Sequence, residues 1–159
     1  MKKLLYSLFA VLALSCTFVS CSDDNDDAPA PAGNPAEAAA ATYSGTWTVV
    51  LDTDTVTTPG TVVLSAGDTA FVANVAVDVE PVKMKVGSSM STISLKASEV
   101  TNIAFAGNAN SFAFSNVGAT LGNFSGRITD GNANMIFSTQ QRVGRKRYTF
   151  NYTFEGIRQ

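Results

Sequence analysis

Few side chains in this sequence can take part in covalent or acid–base chemistry. The chain has no histidine, which excludes Ser–His and Cys–His nucleophilic pairs and every histidine-containing metal site. Its two cysteines, Cys16 and Cys21, both lie near the N-terminus. The segment Asp52-Thr53-Asp54 comes nearest to a calcium loop, but it lacks the further oxygen ligands and the glycine of such a site. We therefore predict a polar turn there, and we predict no catalytic residue, metal site or cofactor.

The first twenty residues have the order of a secretory signal. Lys2 and Lys3 precede an apolar run from Leu4 to Leu14, and this order is typical of a segment that is removed after export. Even when it is extended to Val19, the run barely reaches the roughly 18 to 20 residues that a membrane-spanning helix needs. We predict that residues 1–20 are a signal peptide, and a permanent membrane anchor is the alternative.

The segment Phe18-Val19-Ser20-Cys21 resembles the cleavage site of bacterial lipoproteins. The resemblance implies that a signal peptidase cuts before Cys21, and that the sulfur and the new amino group of Cys21 carry acyl chains. Several acyl chains anchor a protein stably, whereas a single chain gives only marginal binding. Cys16 is the rival site, but Ala13 stands three residues before it, where lipoprotein signals usually have a larger apolar residue. No cysteine follows Cys21, so we expect no disulfide in the folded part.

An acidic run follows this cysteine directly. It comprises Ser22, Asp23, Asp24, Asp26 and Asp27. A run of like charge stays solvated and serves at least as a spacer. The pattern also resembles the surface-export signal of Bacteroidota lipoproteins, which implies an outer-membrane protein that is lipid-anchored and exposed at the cell surface. Residues 28–41 are rich in Ala and Pro, and we predict that residues 21–41 form a tether.

Residues 42–159 have the composition of one all-β domain. Val, Thr, Phe, Ser, Gly and Asn dominate, as in proteins built from strands. Apolar residues alternate with polar ones from Phe71 to Glu80, and aromatic residues alternate with polar ones from Tyr148 to Phe154. The charges of the domain are nearly balanced, so we do not expect nucleic acid as a partner.

Ten short strands separated by turns are predicted in this domain. Besides the two alternating segments, the strands are 45–52, 61–66, 82–86, 92–96, 102–105, 111–114, 123–129 and 134–140. The turns are Thr58-Pro59-Gly60, Ala66-Gly67-Asp68, Val86-Gly87-Ser88, Gly107-Asn108, Asp130-Gly131-Asn132 and Val143-Gly144-Arg145. Regular short strands without a helical period predict an antiparallel meander β-barrel, with an immunoglobulin-like β-sandwich as the alternative.

The segment from Tyr43 to Val49 carries a Gly-x-Trp pattern at Gly45 and Trp47. It resembles the first strand of calycins, the lipocalin-like barrels. Residues 124–131 and the aromatic last strand are similar to the calycin-like lipoproteins of Bacteroidota, a family without an established activity. The resemblance implies that Trp47 plugs one end of the barrel, with Arg158 packed across its indole. A tryptophan that simply belongs to the core is the alternative.

One basic cluster stands out near the C-terminus. It consists of Arg142, Arg145, Lys146 and Arg147, on both sides of the glycine of the last predicted turn. Charge at a hairpin tip discourages pairing with other strands, and a solvated loop is therefore one interpretation. The other is a site for an anionic partner, such as a polysaccharide acid, a lipid phosphate or a lipopolysaccharide.

These observations predict a membrane-tethered, non-catalytic binding module. Its ligand would be a small apolar molecule, a glycan or a protein. The alternatives are a structural or adhesive envelope protein with a sandwich fold, or a barrel that inhibits proteases. Trp47 and the phenylalanines of the domain supply enough bulk to fill a small barrel. We therefore expect a mostly packed interior with at best a shallow apolar pocket near one mouth.

Overall fold

One short helix and eight strands form the folded part of the chain. The computed structural model describes residues 33–116 and 121–159. The elements are α1 (Pro35–Ala39), β1 (Ala41–Leu51), β2 (Asp54–Ala66), β3 (Val72–Val86), β4 (Ser89–Phe105), β5 (Ser111–Asn116), β6 (Gly122–Thr129), β7 (Asn132–Val143) and β8 (Lys146–Arg158). The predictions for residues 1–32, which include the signal peptide, Cys21 and the acidic run, lie outside the described residues.

The eight strands form one antiparallel meander that closes on itself. Each strand pairs with the next one in the chain, and β8 pairs with β1, where Trp47 stands opposite Phe154 and Val49 opposite Tyr152. The prediction of an all-β antiparallel barrel is confirmed. The alternative of a two-sheet sandwich is wrong, because every strand has a neighbour on both sides in a single ring.

Alternation of side chains accounts for the strands that the sequence shows most clearly. In β3 the alternating residues Ala73, Val75, Val77 and Val79 are all buried, and in β8 Phe150, Tyr152 and Phe154 are buried. Phe71 was predicted on the same apolar face as Ala73, but it is 61% exposed. It lies before the first residue of β3, so the alternation of the strand does not govern its direction.

Ten predicted strands become eight because two pairs of them are continuous. Residues 82–86 continue β3 through an irregularity in register between Val79 and Val82, and residues 92–96 and 102–105 both belong to β4. The predicted turn Thr58-Pro59-Gly60 is also wrong, because these residues lie inside β2. Pairing of β2 with β3 starts only at Gly60, so Pro59 lies where that side of the strand has no partner, a position that suits proline.

Tight two-residue turns join four pairs of strands. They are Asp52-Thr53, Gly87-Ser88, Asp130-Gly131 and Gly144-Arg145. Asp130 and Gly131 have φ values of 50° and 81°, as the mirror-image turns of hairpins require. The polar turn predicted at Asp52-Thr53 is confirmed, and Asp52 likewise has a positive φ of 52°.

The barrel has two different ends. One end holds α1, the start of β1, the end of β8 and the turn at Asp130-Gly131, and we call it the helix end. The other holds the turns at Asp52-Thr53, Gly87-Ser88 and Gly144-Arg145, and we call it the hairpin end. The strands run between these two ends, so residues at opposite ends are a whole barrel length apart.

The helix α1 lies inside the segment that the sequence assigns to the tether, and it packs against the barrel. The side chain of Asn34 accepts a hydrogen bond from the Ala36 amide at 3.0 Å and caps the helix. Ala36 and Ala39 are fully buried. Five residues are too few for a stable isolated helix, so α1 depends on this contact with the strands.

The barrel interior is filled by a continuous group of buried side chains. Trp47 contacts the rings of Phe154, Phe137 and Tyr152, with centroid distances of 4.8, 5.4 and 6.3 Å. One surface depression of about 390 Å³ lies on the outer wall of β2, β3 and β4. Another, of about 330 Å³, lies at the helix end beside Asp130 and Arg158. The described aromatic side chains thus fill part of the barrel interior.

Candidate anion-binding end of the barrel

The Gly-x-Trp segment forms a packing unit in the barrel wall. A side chain on Gly45 would collide with the backbone of Glu155 and Gly156, so the glycine permits close approach of β1 and β8. Trp47 is fully buried, and its indole Nε1 donates a hydrogen bond to the carbonyl oxygen of Asp78 at 2.9 Å. Gly60 leaves room for this indole, because a Cβ there would overlap it. These contacts make Trp47 part of the core.

Arg158 lies at the helix end, near the end of β8. Its backbone stands opposite Tyr43, four residues along β1 from Trp47, and Trp47 itself faces Phe154. The guanidinium donates hydrogen bonds to the carbonyl oxygens of Ala38 at 3.2 Å and Ala40 at 3.0 Å. Arg158 therefore binds the C-terminal carbonyls of α1, where the partial negative charge of a helix lies.

Tyr43 completes the attachment of α1. Its hydroxyl donates a hydrogen bond to the carbonyl oxygen of Ala39 at 2.8 Å. Burial raises the pKa of the Tyr43 hydroxyl, while the nearby positive charge of Arg158 lowers it by a smaller amount. Three consecutive carbonyl oxygens, those of residues 38 to 40, are thus bound by two side chains of β1 and β8. Together they close this part of the helix end.

We expect Arg158→Ala to loosen α1 without unfolding the barrel. Hydrogen bonds from a charged donor are worth about 1.5 to 3 kcal/mol, and the exposure of Arg158 places its loss near the lower value. Hydrogen exchange at the Ala38 and Ala40 amides should become about tenfold faster, since about 1.4 kcal/mol corresponds to a factor of ten. Arg127→Ala, which removes an exposed arginine of β6, is the control. Unchanged exchange in the Arg158 variant would contradict this role.

The predicted basic cluster lies at the hairpin end, on the β7–β8 hairpin. Arg142 and Arg147 stand directly opposite each other across the two strands, and Arg145 lies in the turn with Gly144. Like charges directly opposite each other destabilise a strand pair. The Nε of Arg142 donates to the Gly144 carbonyl oxygen at 3.1 Å, and all four cations of the cluster are exposed. The hairpin thus holds two facing cations in one place.

No acidic side chain compensates this pair among the residues that the structure describes. The ion pair observed in 33–116 and 121–159 joins Lys96 to Asp78 at 2.8 Å, on the outer wall of the barrel. It is solvent-exposed, and such pairs add little to stability. The charge of the β7–β8 hairpin is therefore free to attract an external anion.

A second hairpin brings further cations to the same end. The tip of the β3–β4 hairpin reaches across the mouth to β8, which is not its neighbour in the ring, and a Cβ on Gly87 would lie 3.0 Å from the Tyr148 hydroxyl. On one face of the β3–β4 hairpin, Met84 and Ile93 are buried. Lys83 and Lys85, on the other face of the same strand, are exposed. The tip of this hairpin thus lies near Tyr148, and the hairpin adds two exposed cations to the same end of the barrel.

Lys83 and Lys85 are not part of the basic cluster predicted from the sequence. They alternate with Met84 and Val86. This period of two could have indicated a strand with one buried apolar face and with both lysines on the solvent-exposed face. No local signal could place them near Arg147, because more than sixty residues separate the two segments. The antiparallel order of the strands brings both segments to the same end.

The described charges divide unequally between the two ends. The hairpin end has six cations and three acids, a net charge of +3: Lys83, Lys85, Arg142, Arg145, Lys146 and Arg147 against Asp52, Asp54 and Glu80. The helix end has four acids and two cations, a net charge of −2: Glu37, Asp68, Asp130 and Glu155 against Arg127 and Arg158. The barrel is therefore polar along its axis.

The buried polar groups of the interior serve packing. The hydroxyl of Tyr152 accepts a hydrogen bond from Nε2 of Gln141 at 2.8 Å, and burial raises the pKa of Tyr152 to about 12. Tyr152 is therefore neutral at physiological pH. Within 33–116 and 121–159, no group of three or more acidic, histidine or cysteine side chains is arranged to hold a metal ion.

Comparison with protein-family models, with curated proteins and with solved structures found no match. In the described part of the chain, no helix combines the length and apolar character needed to cross a membrane.

Proposed function

We propose that this protein is a lipid-anchored lipoprotein of the outer membrane, exposed at the cell surface, whose barrel is a non-catalytic module that binds an anionic partner. The resemblance of the segment ending at Cys21 to a lipoprotein cleavage site supports the anchor, and the acidic run after it supports the surface location. Aromatic side chains fill part of the barrel interior, and this supports a binding surface on the outside of the barrel.

The observation that carries the binding proposal is the facing pair Arg142 and Arg147. A cross-strand pair of like charge destabilises the hairpin that contains it, yet the described structure supplies no acid to offset it. An anion bound between the two guanidinium groups would relieve that repulsion, and guanidinium groups bind carboxylate and phosphate groups in a bidentate manner. Lys83 and Lys85 extend the positive surface beyond the hairpin.

We expect the double variant Arg142→Gln and Arg147→Gln to lose affinity for a polyanion. The probe is polygalacturonate, and the protein is the mature lipidated chain in vesicles of neutral phosphatidylcholine. At about 1 kcal/mol for each cation near an anionic surface, the loss should be about 30-fold. Binding of the unchanged protein should also weaken with added salt.

The control variant is Arg127→Glu, which changes the net charge by the same two units on β6, away from the hairpin end. It should bind polygalacturonate almost as well as the unchanged protein. Because the double variant removes a repulsive pair, its melting temperature should stay the same or rise. Equal binding by all three proteins would remove the cluster from the site and leave the hairpin as a solvated turn.

A further inference from the structure

We infer that the hairpin end binds an acidic polysaccharide lying beyond the anchoring membrane, and not the lipid headgroups of that membrane. This inference rests on the proposed function, because it requires both the lipid anchor and the anion site. The observation behind it is that the chain enters the barrel at the end opposite the cations. The segment from the anchor leads into α1, and α1 is attached to the helix end by Arg158 and Tyr43.

The barrel separates the two ends by more than the range of electrostatic attraction. β8 has 13 residues, and at about 3.3 Å per residue with the usual barrel tilt, it spans about 30 Å along the axis. The Debye length at physiological salt is about 8 Å. When the helix end faces the membrane, lipid phosphates therefore exert little attraction on Arg142 and Arg147.

The charge of the helix end limits how closely it approaches an anionic headgroup layer. Its described side chains have a net charge of −2, and the acidic run lies between them and Cys21. Negative charge close to such a layer is repelled, which by itself would favour the opposite orientation, but this repulsion is screened beyond about 8 Å. The end of the barrel at which the chain enters, and not this charge, therefore favours the orientation with the cationic hairpins on the far side.

Inversion of the barrel onto its own membrane would use most of the available chain. Thirteen residues lie between Cys21 and Pro35, and a fully extended chain of that length reaches at most about 50 Å. To place the hairpin end on the membrane, this segment would have to run back along the whole barrel, about 30 Å. The inverted arrangement would therefore take up more than half of the greatest extension of this segment.

The partner that suits these conditions is an extended polymer with repeated negative charge. The cations come from two separate hairpins and project from the end of the barrel, so they present a broad surface with no enclosed pocket among them. A polyanion can contact several of them at once, and each contact adds to the affinity. A polysaccharide that bears carboxylate groups has this form, and it can approach from outside the membrane.

Energy transfer between a dye on the barrel and an acceptor on the lipid headgroups tests the orientation. The acylation of Cys21 and the removal of Cys16 leave a single reactive thiol in the variants Ser88→Cys, at the hairpin end, and Thr69→Cys, at the helix end; both positions are exposed. Each lipidated variant is reconstituted in phosphatidylcholine vesicles with and without phosphatidylglycerol, and polygalacturonate binding is measured on the same vesicles.

We expect transfer from the Thr69 position to exceed transfer from the Ser88 position about twofold or more, since the dyes differ in height by about 30 Å. Phosphatidylglycerol should not change this order. Equal or stronger transfer from the Ser88 position on phosphatidylglycerol vesicles would overturn the inference, while the proposed anion site would stand. The correct order without any binding of polygalacturonate would instead refute the proposed function, and the inference with it.

Discussion

Trp47→Ala should remove about 3 to 5 kcal/mol from the free energy of unfolding, the usual cost of deleting a buried tryptophan or phenylalanine. The indole is fully buried, contacts three aromatic rings and donates a hydrogen bond to the carbonyl oxygen of Asp78. Domains of this size have a total stability of about 5 to 15 kcal/mol. Denaturant unfolding followed by far-ultraviolet circular dichroism measures the loss, since the variant has no tryptophan fluorescence.

Two further variants separate the contributions of this residue. Trp47→Phe cannot donate a hydrogen bond to the carbonyl oxygen of Asp78, but it keeps an aromatic ring in the core. Its free energy of unfolding should therefore fall clearly less than that of Trp47→Ala. Gly60→Ala leaves Trp47 in place but puts a methyl group into the space of the indole, and overpacking typically costs about 1 to 3 kcal/mol. A loss below about 1 kcal/mol in Trp47→Ala would show that the barrel does not depend on this cluster.

Cys21→Ala should abolish attachment of the protein to the membrane. The proposed acyl chains are carried by the sulfur and the amino group of this residue, and alanine has no sulfur to modify. Without them, the chain would lose the several anchors that stable membrane binding requires. Metabolic labelling with radioactive palmitate, followed by fractionation of the cells, measures the effect; we expect no label in the variant.

Cys16→Ala is the matched control, because it removes the other cysteine of the chain and should leave labelling unchanged. Label that persists in Cys21→Ala and disappears in Cys16→Ala would move the anchor to Cys16. In that case the acidic run would no longer follow the acylated residue directly, and the argument for surface exposure would fail with it.

The elements of the barrel were predictable where the sequence has a strong local pattern. The aromatic alternation from Tyr148 to Phe154 identified β8, because a strand points successive side chains to opposite faces. Asp130-Gly131 identified a hairpin, because both residues tolerate the positive φ of such a turn. The turn predicted at Thr58-Pro59-Gly60 is wrong. These residue types favour turns, but the segment lies within β2, where pairing with neighbouring strands outweighs the local preference.

The candidate site was predictable only in part. The cluster around Gly144 was visible because its members are close in sequence, and the structure adds that Arg142 faces Arg147. The hydrogen bonds of Arg158 to α1 were not visible in the sequence, because this helix is too short to be recognised from its own propensity. The role of a residue could be predicted where its partner is close in sequence, and it was missed where the partner is distant in sequence.

By itself, the sequence determined the all-β class, the order of the strands, most of their turns and the local basic cluster, since side-chain period and turn preference belong to short segments. Only the tertiary structure decided that α1 and Arg158 close one end, and that the β3–β4 hairpin brings Lys83 and Lys85 across the other. The tertiary structure also places a net negative charge at one end of the barrel and a net positive charge at the other. The reason is physical: these features depend on which distant segments meet when β8 pairs with β1, and no short stretch of the chain contains that information.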